Sequence, residues 1–444
     1  MSTAATVARN TVLGFLGQVA VKAIQLGTSI VLARTLQAEG FGDLGYVIAL
    51  QTFFLFVGDF GVEKIVLKEI ARAPEEAARL AGAAMTLRAL LSFGAAALAA
   101  AFLFVAAPTP KLAWLGALAC LSLPLTVASL YPAYFQARLR VGRAAWFTFV
   151  QGAMTSGLML LAALAPTFLP DLRTMRLEIV VAAAAFAPLP SLALSAWMAR
   201  GDLRPRIAID PALWLSFLRQ SAPLAFNTLC ILLCVRADQV ILRSLKGAEA
   251  LGQYVAAVRF FDAFAIIPSV LLLSGFPLMS RYDRDSPARY LETARWSYKI
   301  LATFILPVAL ATAVLADGII VRLYGKPYAP AAGPLAILMW SLFFSFTSMV
   351  TFDAVTAAGR QRLFFGISLF TTAANLALNF LLIPLYGARG AAVVVLMSSA
   401  LNLPFLAWLR ETRPLIRTLA AVSWRPLLAT GILALALAAG APLR

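Results

Sequence analysis

Runs of about twenty apolar residues, parted by short polar breaks, recur along nearly the whole chain. One helix needs a run of that length to cross the hydrocarbon core of a bilayer. The pattern predicts spans near 11–33, 44–62, 82–106, 112–136, 145–166, 178–199, 216–242, 252–279, 297–317, 333–357, 363–385 and 388–409. A further apolar run, 418–441, is interrupted by Arg425-Pro426 and reads as an extra C-terminal helix or a partial span. The expected fold class is an all-α integral membrane protein.

The pattern also repeats. Leu32-Ala33-Arg34-Thr35-Leu36 is followed by Glu39-Gly40-Phe41-Gly42 and a long apolar helix. About 210 residues on, Ile241-Leu242-Arg243-Ser244-Leu245 is followed by Ala248-Glu249, Gly252 and another such helix. Span 1 thus maps to span 7 and span 2 to span 8. Six helices separate the copies, so both halves enter the membrane the same way up. This predicts two parallel six-helix lobes around a central cavity. The expected divisions are an N-terminal lobe over 1–200, a cytoplasmic linker over 201–215, a C-terminal lobe over 216–410, and the extra helix or partial span over 411–444.

Composition fits a bilayer. The 444 residues are 61% hydrophobic and 13% charged, against about 45–50% apolar in soluble domains. The net charge is +17. The basic residues sit between apolar runs, a pattern of loops and anionic headgroups rather than of nucleic-acid binding. With the N-terminus inside, 23 lysines and arginines fall on inner segments and 10 on outer ones. That bias predicts a cytoplasmic N-terminus. The first 33 residues, interrupted by Gln18, Lys22 and Gln25, read as a retained span and not as a signal peptide. There are three cysteines and no histidine, so neither a disulfide framework nor a metal set is expected. No phosphate-binding G-x-x-x-x-G-K-[ST] run occurs. No cofactor is implied.

Polar residues inside spans carry the candidate chemistry, because each costs several kcal/mol in lipid unless it faces protein or water. On span 1, Thr11, Gly14, Gln18, Lys22, Gln25 and Ser29 form one narrow stripe. It reads as the wall of a wet cavity, or as polar glue between helices. Span 7 repeats the stripe at an offset of 209, placing Asn227, Ile231, Cys234 and Asp238 opposite Gln18, Lys22, Gln25 and Ser29. Arg236 lies on the other side of span 7 and either snorkels or pairs with a neighbour. On span 8, Arg259 and Asp262 stand at i, i+3. They either neutralise each other, or Arg259 binds an anionic substrate and Asp262 holds it in the empty state. Arg88 in span 3 is a cavity residue or a snorkelling one. Asp59 and Glu63 read as a structural charge cluster with Lys64 and Lys68. Asp353 stands one to two turns from Arg360, and Asn375 and Asn379 read as interhelical hydrogen-bonding residues. The substrate-binding candidates are therefore Lys22, Arg259, Arg88, Gln18, Gln25 and Asn227. The coupling or gating candidates are Asp238, Asp262, Asp353 and Arg236.

Several short motifs add a resemblance. Gln18 to Arg34 with the segment through Gly42 resembles the first helix pair of bacterial polysaccharide exporters of the Wzx flippase type, and Asp238 to Leu242 with Gly252-Gln253-Tyr254 resembles their seventh and eighth helices. Leu323-Tyr324-Gly325-Lys326-Pro327-Tyr328 is similar to that family's Gly-x-x-Tyr loop. Ala358-Gly359-Arg360, the run Asn375 to Pro384 and Gly387-Ala388-Arg389-Gly390-Ala391 match most closely. Together these cover about residues 9–409. The resemblance implies the multidrug/oligosaccharidyl-lipid/polysaccharide exporter superfamily, with two rocking lobes around a central cavity. It implies a flippase, not an enzyme, that moves undecaprenyl-diphosphate-linked oligosaccharide from the cytoplasmic to the outer leaflet by alternating access. The implied setting is surface polysaccharide biosynthesis at the bacterial cytoplasmic membrane. Membrane lipids, a glycan polymerase and glycosyltransferases are the expected partners. Relatives hold pyrophosphate or acidic sugars with cations on helices 1 and 8, where Lys22 and Arg259 stand here. A proton- or sodium-coupled role is open for the acidic residues. A drug or cation antiporter of the same superfamily is the alternative. A glycan polymerase or ligase ranks lower, because the outer connectors near 167–177 and 318–332 are short.

Overall fold

The computed structural model describes residues 3–138, 141–199, 208–268, 271–272, 278–282, 286–358, 363–408 and 412–439. Every regular element among them is helical. Residues 201–207 of the expected linker, the Gly359-Arg360 motif and the last residues of the C-terminal run lie outside the described set, as do the side chains of Thr11 and Gly14.

Three helices are about twice the length of a membrane crossing. They are α1 (Thr3–Asp59), α9 (Pro211–Phe264) and α12 (Leu363–Trp408). Each is broken by one residue with non-helical dihedrals, at Gln37, Gly247 and Gly387. Nine helical segments are long and apolar enough to span a membrane. Three of these contain such a break and supply two spans each, so the described residues carry the twelve expected spans.

The breaks in the first two are the same break. Gln37 has φ 59° and ψ 177°, and Gly247 has φ 90° and ψ 179°. Both lie at the repeated motif, directly after Leu36 and one residue after Leu245-Lys246. That region of backbone space is essentially open to glycine alone. The second copy therefore turns without strain, while the first turns on a glutamine whose side-chain amide donates to the Arg34 carbonyl oxygen at 3.0 Å.

Between the long helices lie α2 (Val62–Arg72), α3 (Ala77–Ala106), α4 (Pro110–Cys120), α5 (Leu130–Ala137), α6 (Val141–Phe168), α7 (Arg176–Phe186) and α8 (Pro188–Ala199). After α9 come α10 (Pro287–Tyr324) and α11 (Ala332–Ala357), and α13 (Arg413–Ala439) closes the chain. Proline corrects several expected spans. The fourth stops at Cys120, four residues before Pro124, then passes through a 3-10 turn into α5. The sixth is split at Ala187-Pro188. The eighth was expected to run to 279 but its helix ends at Phe264, four residues before Pro268. In each case the ring removes the amide that would have bonded one turn back. The interrupted final run is helical through Pro426 over 27 residues, and α13 packs on α10 through the Tyr298 hydroxyl and Ser423 Oγ, 2.6 Å apart.

The chain forms two compact units, Met1–Leu232 and Leu233–Arg444. The first unit takes in the first half of α9. Asp210 caps that helix, accepting from the Leu213 amide at 3.0 Å, with Pro211 at the first helical position where its missing N–H costs nothing. Asp210 also takes Arg79 at 2.9 Å. The Trp214 indole donates to the Ala83 carbonyl oxygen at 3.0 Å, and the Thr86 hydroxyl to that of Ala208 at 2.7 Å. Phe217 completes a buried cluster with Val66, Ile70, Leu87 and Phe135. In the second unit, α10 packs on α11 and α13, and α11 on α12. Tyr254, Tyr324 and Tyr328 are fully buried there. Large apolar side chains such as Phe93, Trp197, Phe380 and Leu385 stand on the outside, as lipid-facing residues do.

Candidate functional site

The first unit sets the polar stripe of span 1 by packing its opposite side. Val21 is buried against α6, where a Cβ on Gly152 would lie 2.6 Å from Val21 Cγ1. Thr28 and Leu32 continue that buried side. Gln18 and Gln25 are exposed, Lys22 is half-buried and Ser29 is buried at 5%. No carboxylate of the described residues lies within ion-pairing distance of Lys22. The stripe is therefore open through Gln25 and closed at Ser29.

Span 7 repeats this gradient. Asn227 is half-buried, with no hydrogen-bond partner for its buried Oδ1 among the described residues. Ile231 is exposed, Cys234 touches Thr372 Oγ1 at 3.4 Å, and Asp238 is buried at 2%. Ser29 and Asp238, at matching positions in the repeat, are thus both closed off.

Arg88 has its charge met inside the first unit. Its side chain is 3% exposed. Nε lies 3.2 Å from Asp59 Oδ1, and Nη1 lies 3.4 Å from Glu63 Oε2 and 2.7 Å from Ser129 Oγ. The Ser129 hydroxyl also donates to Glu63. Arg88 therefore ties α3 to α1, α2 and the end of the 3-10 turn before α5. The partner of Asp59 and Glu63 is Arg88, and not Lys64 or Lys68 as the sequence suggested. The partners lie on consecutive spans, 25 and 29 residues apart in sequence, too far for a helix spacing rule to find.

In the second unit both arms of α9 contribute. Asp238 accepts the Tyr254 hydroxyl from the other arm and the Gln239 amide at 2.7 Å. Tyr254 was not expected as a site residue, although its place in the quoted Gly252-Gln253-Tyr254 run was the available clue. Further from the turn, Arg236 Nη2 lies 3.8 Å from Asp262 Oδ2. Arg236 thus pairs with the neighbouring arm and does not snorkel. Asp262 stands one turn from Arg259 but makes its ion pair with Arg236. Arg259 is half-buried with no carboxylate of the described residues in ion-pairing range. Asp353 on α11 is half-buried, and Arg360 lies outside the described residues. Asn375 donates to Ser398 Oγ at 2.9 Å and so links the arms of α12 as expected, whereas Asn379 donates to Asn375 Oδ1 at 2.9 Å within its own arm.

The donor sets offer little to a metal. No group of three or more Cys, Asp and Glu suited to a metal ion occurs among the described residues. Cys120, Cys230 and Cys234 are not joined to one another by disulfides. What the units present is half-buried cations, amides and acids that are already engaged.

A model of the family described as "Polysaccharide biosynthesis protein" matches residues 7–283. The chain belongs to that family. It is 26% identical over 170 residues to "Probable flippase AglR" of Haloferax volcanii, 37% of this chain and 35% of that protein. It is 25% identical over 187 residues to "Capsular polysaccharide biosynthesis protein CapF" of Staphylococcus aureus, 40% of this chain and 45% of that one. The matches therefore span about two fifths of the length of these curated relatives. Among solved structures, "Lipid II flippase MurJ, inward closed conformation" is similar over 96% of this chain and 93% of that chain, with a TM-score of 0.74 and 14% identity. This family member is a multi-pass membrane protein with that transporter fold.

Proposed function

We propose that this protein is a flippase that moves an undecaprenyl-diphosphate-linked oligosaccharide from the cytoplasmic to the outer leaflet by alternating access, for surface polysaccharide assembly. The supporting observation is the pair Lys22 and Arg259. Each is a half-buried cation with no carboxylate of the described residues within ion-pairing distance. A charge held this way at membrane depth is costly unless a ligand or water meets it. A diphosphate offers the anionic oxygens that such a cation would meet, and guanidinium suits phosphate oxygens well. Gln18, Gln25 and Asn227 offer amides to sugar hydroxyls. Asp353, half-buried on α11, is the acid we assign to coupling by a proton or sodium ion. The N-terminus is placed in the cytoplasm by the basic bias of the loops, in the bacterial cytoplasmic membrane. A glycan polymerase and glycosyltransferases are the partners this role requires.

A multidrug antiporter would instead need an acid free to hold a cation. Two of the three candidate acids, Asp238 and Asp262, are engaged by Tyr254 and Arg236, which favours the anionic substrate.

The test is surface glycan in cells carrying Lys22→Ala or Arg259→Ala, with membrane protein levels measured alongside. Glycan is lost while the protein accumulates normally. Normal glycan in both variants overturns the reading, as does export of a small cationic dye by the purified protein.

A further inference from the structure

A second polar site stands apart from these residues, on the outside of the second unit between α10 and α13. It is a cleft of about 280 Å³ walled by Glu292, Arg295, Trp296 and Lys299 of α10 and Val422 and Trp424 of α13. At roughly 30 Å³ per molecule of liquid water it has room for about nine waters, enough for a small polar headgroup. Residues 292, 295, 296 and 299 share one helix face because they are three, four and seven apart. Lys299 Nζ sits 5.0 Å from the Trp296 ring centre, a cation–π contact that holds the ammonium at the wall. Beside the cleft, the Tyr298–Ser423 hydrogen bond fixes α10 to α13, so the walls are set by packing.

The surroundings identify the medium. Trp296 and Trp424 are more than half exposed, and amphipathic indoles of this kind concentrate at the membrane–water boundary. One to two turns deeper along both helices, Ile300 and Phe304 on α10 and Leu427 and Leu428 on α13 are also exposed. A polar, cation-bearing cleft thus opens onto an apolar surface in the direction of the hydrocarbon. That sequence of chemistry matches a glycerophospholipid from headgroup to acyl chains. The start of α10 lies eight spans from the N-terminus, so the cleft faces the same side of the membrane as the N-terminus.

We propose that this cleft binds one anionic glycerophospholipid. Arg295 and Lys299 take the phosphodiester, the two indoles flank the glycerol level, and the acyl chains lie along the row from Ile300 to Leu428. Basic pockets between helices at this depth favour such headgroups. Glu292 at the mouth adds a single acceptor, which suits a headgroup with hydroxyls, as in phosphatidylglycerol, over one that carries charge alone.

Native mass spectrometry of the full-length protein, released from nanodiscs of defined lipid and containing no lipid-linked sugar, tests this. One phosphatidylglycerol is retained in preference to phosphatidylcholine. Arg295→Gln with Lys299→Gln lowers retention by roughly tenfold. In parallel, phosphatidylglycerol raises the thermal midpoint of the unaltered protein and not of the double variant, whose midpoint without lipid is unchanged. Equal retention of phosphatidylcholine overturns the proposal, as does undiminished retention by the double variant. Displacement of the lipid by millimolar inorganic phosphate also overturns it, because the cleft would then be a site for the free ion.

Discussion

Arg236 and Asp262 face each other across the two arms of α9 at 3.8 Å, while Arg259 stands one turn from Asp262 on the same helix. The local i, i+3 spacing lets Asp262 act on both cations. The cross-arm contact holds the carboxylate at ion-pairing distance from Arg236 and not from Arg259.

This relationship predicts an indirect loss of function. Arg236→Gln frees Asp262 to turn to Arg259 and masks it. Surface glycan falls by about tenfold, equivalent to roughly 1.4 kcal/mol of substrate binding. Adding Asp262→Asn restores it, because the masking acid is gone. Loss of glycan in both variants alike, at equal protein levels, would mean that the pair acts only in folding.

Arg88 behaves differently. Its removal leaves Asp59 and Glu63, whose side chains are 26% and 38% exposed, without their shared cation. Arg88→Ala lowers stability by about 1–3 kcal/mol, because water meets part of the charge it strands. The protein is depleted from the membrane, and the thermal midpoint in detergent falls. Lys22→Ala, which strands no carboxylate, leaves that midpoint unchanged.

The two turns of the repeat differ in strain. Gly247→Ala forces a Cβ into backbone space that non-glycine residues occupy at a cost of about 1–3 kcal/mol. The reciprocal change, Gln37→Gly, relieves an existing strain at φ 59° and loses only one exposed hydrogen bond. Thermal midpoints fall for the first and hold or rise for the second. A fall in both would show that Gln37 is held there by more than its backbone.

Close approach of α1 and α6 depends on Gly152. Gly152→Leu overpacks the contact at Val21, where even a Cβ would come within 2.6 Å, and costs about 1–3 kcal/mol. Lys22 follows Val21 directly, so glycan export falls as the stripe rotates. Val21→Ala in the same chain recovers part of both losses, read as thermal midpoint and surface glycan.

Asp210 supplies a pH dependence. The Leu213 amide, first, and then Arg79 stabilise its ionised form and lower its pKa from the ordinary value of 3.8. A lowered folded value means the cap contributes fully above the ordinary carboxylate range and is lost as pH falls through the folded value. Hydrogen exchange at the first turn of α9 is therefore slow at neutral pH and accelerates below about pH 4. Asp210→Asn, which cannot ionise, shows no such step.

The sequence by itself determined the class, the twelve spans and the repeat, because apolar length and period are local properties that a bilayer reads directly. It also determined the polar stripe on span 1, since a helix converts spacing into a face. It identified Asn375 as a link to the adjacent arm, where Ser398 accepts its amide. Tertiary structure alone decided which charges are spent. Arg88 finds acids 25 and 29 residues away in sequence and a serine 41 residues away. Arg236 chooses Asp262 over solvent, and Tyr254 closes on Asp238 across a turn. Charge pairing depends on distances of 3–4 Å between side chains on different helices, and no periodicity encodes which helix comes near. The same reason explains the cleft between α10 and α13, whose walls are more than 120 positions apart and meet only when the last helix docks.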